Sequence, residues 1–246
     1  MFKTLLLSAI FSLSLMADSI TIAAAANLKY ALEEIANEFS KDSKIETKII
    51  TGASGKLTQQ IISGAPYDLF LSADVDFPQK LYEGGFSSDK PRIYAYGTLV
   101  LWSNSGLDLS RGVAILTDSS VKKIAIANPR TAPYGTEAMR VLKHYNLENS
   151  VKNKIVTAES ISQVANFVTT KSVEAGFMAK SIVLSEQMRG VGSYIEIDSS
   201  SYNKIDQAMV IVKKSPNQTD AQKFYDFMSS KKAIDILKKH GYGVNK

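Results

Sequence analysis

Short runs rich in β-branched residues alternate with segments whose apolar residues recur at helical spacing, from residue 19 almost to the end of the chain. Such a repeat of strand and helix patterns is typical of sheets whose strands are mainly parallel. The predicted strands are residues 19–23, 46–51, 68–72, 96–102, 123–127, 154–157, 175–179 and 208–213. The sequence therefore predicts an α/β fold.

Helices are predicted between the strands wherever apolar residues lie three or four positions apart. The clearest apolar faces lie within residues 28–39, 138–145, 161–168, 224–228 and 234–237. Two long β-rich runs, residues 93–102 and 205–214, are each long enough to pass between two lobes, and two such crossings would let the lobes close on a ligand. A single continuous sheet would produce the same runs, so periodicity leaves both arrangements open.

Residues 1–17 differ from the rest of the chain. Lys3 is followed by an apolar run and then by Ala17, which is the charged, apolar and small-residue order of a cleaved signal peptide. The alternative is a membrane anchor, but the apolar run is short for a span. The 246 residues include no Cys, so neither a disulfide nor a cysteine-linked lipid is available. We expect cleavage after Ala17 and a soluble periplasmic protein.

Charge and composition exclude several classes of function. The formal net charge is +5, and one less without the leader, which is a mild bias toward anionic partners. Lys and Glu are mixed along the chain without a basic and aromatic stripe, so no nucleic acid partner is expected. With two His and no Cys, a catalytic zinc site is not expected either, and no metal ion or cofactor is predicted.

Four predicted strands end in loops of small or polar residues that lead directly into helices. The loops are AAAAN at 23–27, TGASGK at 51–56, NPRTAPYGT at 128–136 and TAESIS at 157–162. A helix start presents unpaired main-chain N–H groups and the positive end of the helix dipole, both of which suit an anion. Four converging starts would enclose one anion. The alternative is ordinary N-capping by Asn27, Ser54 and Ser160 or Ser162.

Two of the four loops carry glycines beside a candidate ligand residue, Ser54 in one and Tyr134 in the other. Gly52 and Gly55 flank Ser54 and are expected to leave its hydroxyl and amide open to a ligand. In the other loop, Pro133 precedes Tyr134 and Gly135 and fixes the approach to the next helix.

The four loops contain no His and no Asp, and their positive charge is limited to Lys56 and Arg130. A site made only of donors favours a fully deprotonated oxyanion, because hydrogen phosphate brings a proton that needs an acceptor. Arg130 is interpreted as a solvated loop charge, and Glu159 as a charge in the first turn of a helix.

An enzyme is the main alternative class. The segment TGASGK is similar to a nucleophile elbow, but that motif needs Gly where Lys56 stands. A dyad of Ser54 and Lys56 in a periplasmic hydrolase stays conceivable. His144 and His240 lie outside the four loops, so a Ser–His triad lacks an evident base. A binder of amino acids would need an Asp for the ammonium group, and no loop supplies one.

Five segments together resemble the periplasmic molybdate-binding proteins of ABC transporters. They are AAAANLKYALEEIANEF, GASGKL, GAPYDLFLSAD, NPRTAPYG and KFYDFMSSKKAIDILKKHGY. The resemblance implies a two-lobed type II periplasmic binding protein fold with two hinge crossings. It places residues 18–97 and 207–246 in the N-terminal lobe and residues 98–206 in the C-terminal lobe.

The resemblance also implies a function and a set of ligand contacts. The function is high-affinity binding of molybdate and tungstate by a monomer that delivers them to an ABC permease of the inner membrane, and the runner-up ligand is another small oxyanion such as sulfate. The implied ligand-binding residues are Ala26, Asn27, Ser54, Tyr134 and Ile161. Tyr134 and Ile161 would donate through main-chain N–H groups. Some members place a Tyr hydroxyl on the ligand where this chain has Ala179.

Overall fold

A computed structural model of the protein describes residues 19–244, so the predicted signal peptide lies outside the described residues. The strands form two sheets. The first sheet contains β1 (Ser19–Ala25), β2 (Glu46–Gly52), β3 (Leu69–Leu71), β4 (Arg92–Gly97) and β10 (Ile205–Ile211). The second sheet contains β5 (Leu99–Ser103), β6 (Ile124–Ala127), β7 (Ile155–Ala158), β8 (Ala175–Ala179) and β9 (Ser193–Glu196).

The two sheets share one topology. Their strand orders are β2-β1-β3-β10-β4 and β7-β6-β8-β5-β9. The first three strands of each order pair in parallel, and the last two join by antiparallel pairing. The fourth strand of each order therefore runs opposite to the other four, and the expectation of mainly parallel strands is confirmed. Parallel neighbours need a crossover connection, usually a helix, and each sheet has only three strands that are joined in this way.

Helices cover both faces of each sheet. They are α1 (Lys29–Ser43), α2 (Ser54–Ile62), α3 (Asp76–Glu83), α4 (Pro133–His144), α5 (Glu148–Val151), α6 (Ile161–Thr169), α7 (Lys180–Val183), α8 (Gln218–Phe227) and α9 (Lys231–Lys239). We refer to the first sheet with α1, α2, α3, α8 and α9 as the first lobe, and to the second sheet with α4 to α7 as the second lobe. None of the helices between residues 19 and 244 has the length and apolar character that crossing a membrane requires.

The chain passes between the lobes twice. The predicted single strand 96–102 is in fact two strands in different sheets, β4 and β5, separated only by Thr98. The return path is the segment 197–204 between β9 and β10, whereas the run 205–214, proposed for that crossing, contains β10 of the first sheet. The predicted two-lobed α/β fold with two hinge crossings is thus confirmed, and the residue boundaries drawn for the lobes stay a prediction.

The alanine run at the end of β1 is explained by close packing on both faces of the strand. Successive side chains of a strand point to opposite faces. Ala23 accordingly packs in the apolar cluster beneath α2 and α3, and Ala24 packs in the cluster beneath α1 and α9. Ala25 and Ala26 belong to the cluster of the second lobe. The end of β1 therefore approaches both the helices of its own lobe and the opposite lobe.

Candidate functional site

A small cavity, with about 10 Å³ of space that a water molecule could occupy, lies where the two lobes meet. Its wall contains all five residues that the sequence predicts as ligand contacts: Ala26, Asn27, Ser54, Tyr134 and Ile161. The other wall residues are small, namely Ala25, Gly52, Ala53, Ala73, Ala132 and Pro133. The five predicted residues are at most 5% exposed. Residues far apart in the chain are thus brought to one buried place.

Each lobe contributes two helix starts to this wall. Ser54 is the first residue of α2, and Ile161 is the first residue of α6. The helix α4 begins at Pro133, which has no N–H, so Tyr134 supplies its first main-chain donor. Asn27 lies in a 3-10 turn, Ala26–Leu28, that leads directly into α1. The first N–H groups of a helix have no partner within it, so four sets of donors and four positive dipole ends face one cavity.

Ordinary capping does not account for these polar residues. Within residues 19–244, no side chain caps the starts at Ala26, Ser54, Pro133 or Ile161. By contrast, Ser230 caps the remote helix α9 in the usual way. Capping therefore fails as the alternative explanation for the four loops.

The Ser54 hydroxyl is held in place by the next loop. Its Oγ accepts a hydrogen bond of 3.1 Å from the main-chain N–H of Ala73, and Ser54 is 1% exposed. Because this bond uses a lone pair of the oxygen, the hydroxyl proton can be donated into the cavity. Ser54 thus offers two donors, its hydroxyl and its main-chain N–H.

The side chain of Asn27 bonds to other side chains and not to the cavity. Its Nδ2 donates to Gln207 Oε1 at 3.0 Å and to Tyr242 Oη at 2.8 Å, so both amide hydrogens are used. The main-chain oxygen of Asn27 accepts from Tyr242 Oη and from Ser181 Oγ, at 2.9 Å each. The group that Asn27 can still donate to the cavity is its main-chain N–H.

The glycines near Ser54 differ from the sequence interpretation. A Cβ on Gly55 would lie 2.8 Å from Phe77 Cζ and 3.0 Å from the Cα of Thr131, which belongs to the second lobe. The N–H of Gly55 also donates to the main-chain oxygen of Thr131 at 2.8 Å. A Cβ on Gly52 would meet only Leu57, at 3.5 Å. Gly55 is therefore needed for contact between the lobes, and the role proposed for Gly52, which lies in the cavity wall, stays a prediction.

Charges surround the cavity without entering its wall. Lys56 of α2 pairs with Glu159, which lies two residues before α6, so this ion pair joins the two lobes, and both side chains are more than half exposed. The interpretation of Glu159 as a first-turn helix charge is therefore wrong, because its role is this pairing. Arg130 is exposed, as expected. Burial raises the pKa of Asp74, next to the wall residue Ala73, to about 6.

The arrangements that would favour an enzyme are not formed in the described part of the chain. The Lys56 ammonium is turned to Glu159 while the Ser54 hydroxyl is bonded to Ala73, so no dyad exists between them. His144 is the exposed last residue of α4, and His240 contacts Glu34. Residues 19–244 hold no cluster of three or more His, Asp or Glu able to bind a metal ion.

Ala179, Gln207 and Tyr242 lie outside the cavity wall. Ala179 is buried at the end of β8 and is not part of the cavity wall as described. Sequence reasoning missed Gln207 and Tyr242, which hold Asn27. A polar Gln inside the apolar run IDQAMVIV was the available signal, because a fully buried amide needs partners.

Comparison with known proteins gives one consistent result. A family model described as "Bacterial extracellular solute-binding protein" matches residues 20–243. A molybdate-binding protein of Azotobacter vinelandii is 36% identical over 93% of this chain and 91% of its own length, and one of Rhodobacter capsulatus is 33% identical over 92% and 88%.

A solved structure, the periplasmic molybdate-binding protein of Azotobacter vinelandii, superposes with a TM-score of 0.88 at 33% identity, covering 92% of this chain and all of the other. The predicted periplasmic binding protein fold is thereby confirmed. The chain belongs to the family of bacterial extracellular solute-binding proteins.

Proposed function

We propose that the protein binds molybdate, and likewise tungstate, in this cavity and delivers the anion to an ABC permease. The observation that carries the proposal is the meeting of helix starts from both lobes, with the Ser54 hydroxyl, around a buried and uncharged hollow. The molybdate-binding relatives, similar over nine-tenths of the chain, support the same ligand.

The proposed contacts divide between the lobes. The first lobe donates from the main chain at Ala26 or Asn27 and from both the hydroxyl and the N–H of Ser54. The second lobe donates from the main-chain N–H groups of Tyr134 and Ile161. An anion that docks on one lobe gains its remaining hydrogen bonds only when the other lobe closes, and closure removes water from the site. The permease then recognises the closed form.

Selectivity follows from the kind and placement of the donors. Hydrogen phosphate brings a proton into a wall built from donors, where it has no suitable acceptor. Sulfate is smaller than molybdate, so some donors would lie too far from its oxygens. Each buried donor left unpaired costs about 1–3 kcal/mol, and two such donors would suffice to exclude sulfate at micromolar concentration.

We also propose where the protein acts and in what form. Residues 1–17 direct export to the periplasm and are removed, and the mature chain acts as a monomer without catalysing a reaction. The family match supports an extracellular binding role.

Calorimetric titration of residues 18–246 with molybdate, tungstate, sulfate and phosphate tests the proposal. We expect sub-micromolar binding of the first two anions and no measurable heat from the others. Ser54→Ala should weaken molybdate binding about 10-fold to 150-fold, because a hydrogen bond to a charged group contributes about 1.5–3 kcal/mol. Ser87→Ala is the control, since Ser87 is also buried but its hydroxyl donates to the main-chain oxygen of Asp89, away from the cavity. Equal affinity for sulfate, or hydrolysis of an ester that depends on Ser54, would contradict the assignment.

A further inference from the structure

Two wall residues of the cavity, one from each lobe, are joined by a single buried amide. Gln207 of β10 is fully buried, and its Oε1 accepts from Asn27 Nδ2 at 3.0 Å. Its Nε2 donates to Tyr134 Oη at 3.2 Å. Asn27 belongs to the first lobe and Tyr134 to the second, so Gln207 connects the two sides of the site through their side chains. Both residues lie in the cavity wall, and their main-chain N–H groups are the proposed ligand donors.

A second hydrogen bond between the lobes ends on Asn27. Ser181 of α7, in the second lobe, donates from Oγ to the main-chain oxygen of Asn27 at 2.9 Å. Ser181 is 3% exposed. The side-chain bonds of Gln207 and Ser181 therefore each join a residue of one lobe to a wall residue that carries a proposed ligand donor.

The packing around Tyr134 and Gln207 leaves no room for a side chain at the first crossing between the lobes. Gly97 is the last residue of β4, where the chain first crosses between the lobes. A Cβ at this position would lie 2.2 Å from Tyr134 Oη and 2.7 Å from Gln207 Nε2. The absence of a side chain at Gly97 thus allows the Tyr134 hydroxyl to reach Gln207 when the lobes are closed.

We propose that Gln207 and Ser181 are positioning residues that clamp the closed lobes together behind the anion. They fix the main-chain N–H groups of Asn27 and Tyr134 toward the ligand and thereby set the lifetime of the complex. The proposal rests on the function proposed above and adds a part of the site that does not touch the ligand.

The clamp has a kinetic consequence that distinguishes it from a merely structural role. Its two bonds join different lobes, so opening of the lobes is expected to break them and closure on the anion to form them. Losing one of them should leave the association rate nearly unchanged and speed dissociation. A buried hydrogen bond of this kind, with its former partner left unpaired, corresponds to about a tenfold change.

Two substitutions remove the clamp without removing a proposed ligand donor. Tyr134→Phe deletes the hydroxyl that accepts from Gln207 and keeps the main-chain N–H. Ser181→Ala deletes the second bond. The rates of association and dissociation are measured with radiolabelled molybdate, using an excess of unlabelled anion to start dissociation.

Matched controls remove the same chemistry within one lobe. Tyr67 is a buried Tyr whose hydroxyl donates to Gln60 at 2.8 Å inside the first lobe, so Tyr67→Phe is the control for Tyr134→Phe. Ser185 is a buried Ser whose hydroxyl donates to the main-chain oxygen of Ile182, so Ser185→Ala is the control for Ser181→Ala.

Closure itself is measured independently of ligand kinetics. The chain has no Cys, so Lys231→Cys in the first lobe and Arg189→Cys in the second give two unique dye positions, both on highly exposed side chains. Energy transfer between the dyes reports the closed fraction with and without molybdate.

We expect dissociation about tenfold faster in Tyr134→Phe and in Ser181→Ala, association within twofold of the wild type, and a smaller closed fraction. Both controls should dissociate at the wild-type rate even where their melting temperature falls. Wild-type dissociation and closure in both clamp variants would overturn the clamp. A wild-type chain that binds no molybdate would instead refute the proposed function. The clamp would then be tested by energy transfer without ligand: a smaller closed fraction in the two clamp variants than in the wild type would support it, and an equal closed fraction would refute it.

Discussion

Closure can be tested by adding one methyl group at a tight contact between the lobes. Gly55 is the second residue of α2, and its N–H donates to the main-chain oxygen of Thr131 in the opposite lobe. Ala is compatible with the backbone at this position, because Gly55 does not have a positive φ. Gly55→Ala therefore perturbs the contact between the lobes and leaves every proposed ligand donor in place.

The size of the effect follows from the distances. The added Cβ would lie 2.8 Å from Phe77 Cζ and 3.0 Å from Thr131 Cα, whereas carbon atoms in contact prefer about 3.5–4.0 Å. The Phe77 ring can turn within its own lobe. The Thr131 Cα is main chain, so the second lobe must retreat by about 0.5–1 Å. Overpacking of this kind costs about 1–3 kcal/mol, which corresponds to about 5-fold to 150-fold weaker binding of molybdate.

Calorimetry of Gly55→Ala, with Gly52→Ala as the control, measures this effect. The two glycines lie in one loop, but a Cβ on Gly52 meets only Leu57, at an ordinary 3.5 Å. Gly52 lies in the cavity wall, so Gly52→Ala reports what a methyl group does there without a contact between the lobes, and we expect a smaller loss of affinity than in Gly55→Ala. Gly55→Ala should lower the affinity for molybdate markedly but change the melting temperature of the ligand-free protein little, because opening of the lobes relieves the contact with Thr131. Equal affinities for the two variants would refute the idea that binding requires full closure at this contact.

Two further predictions concern charges near the cavity. Because burial raises the pKa of Asp74 from 3.8 to about 6, the folded protein holds this proton more tightly than the unfolded chain, and this contribution to stability is lost as the pH rises from 4 to 6. Asp74→Asn should remove that dependence and raise the free energy of unfolding at pH 7.5 by up to about 3 kcal/mol, measured by urea unfolding at several pH values. Lys56→Met breaks the exposed pair with Glu159 and should weaken molybdate binding, measured by calorimetry, by less than about fivefold. High salt screens this pair, so in high salt the variant and the wild type should bind equally.

The four helix starts were predictable because their signals are local. Small residues, a proline or a serine between a strand and a helix determine where main-chain donors are unpaired, and no distant contact is needed to identify them. Local signals do not say that Ser54 and Tyr134 lie at one place, because the strands before them belong to different sheets; that expectation came from the family resemblance. The five residues that the resemblance implied do line one wall.

The features that the sequence did not predict depend on contacts between distant segments. The break at Thr98 is hidden because β4 and β5 form one continuous β-rich run, and only the assembled sheets separate them. The strand β9 is short and largely exposed, so it lacks an apolar alternation. Gln207 became interpretable only when its two partners, Asn27 and Tyr134, were seen in opposite lobes.

The charge of the ligand can be tested separately from its size. Each helix start carries a positive partial charge of about half a unit, so the starts of α1, α2, α4 and α6 together supply about two units without a charged side chain in the wall. Such a site should prefer a dianion. Perrhenate is tetrahedral and close to tungstate in size but carries a single negative charge. Its oxygens accept weaker hydrogen bonds from the same donors, so we expect binding at least about a hundredfold weaker than that of tungstate in parallel calorimetric titrations. Comparable affinities would mean that fit alone selects the ligand and that the helix dipoles contribute little.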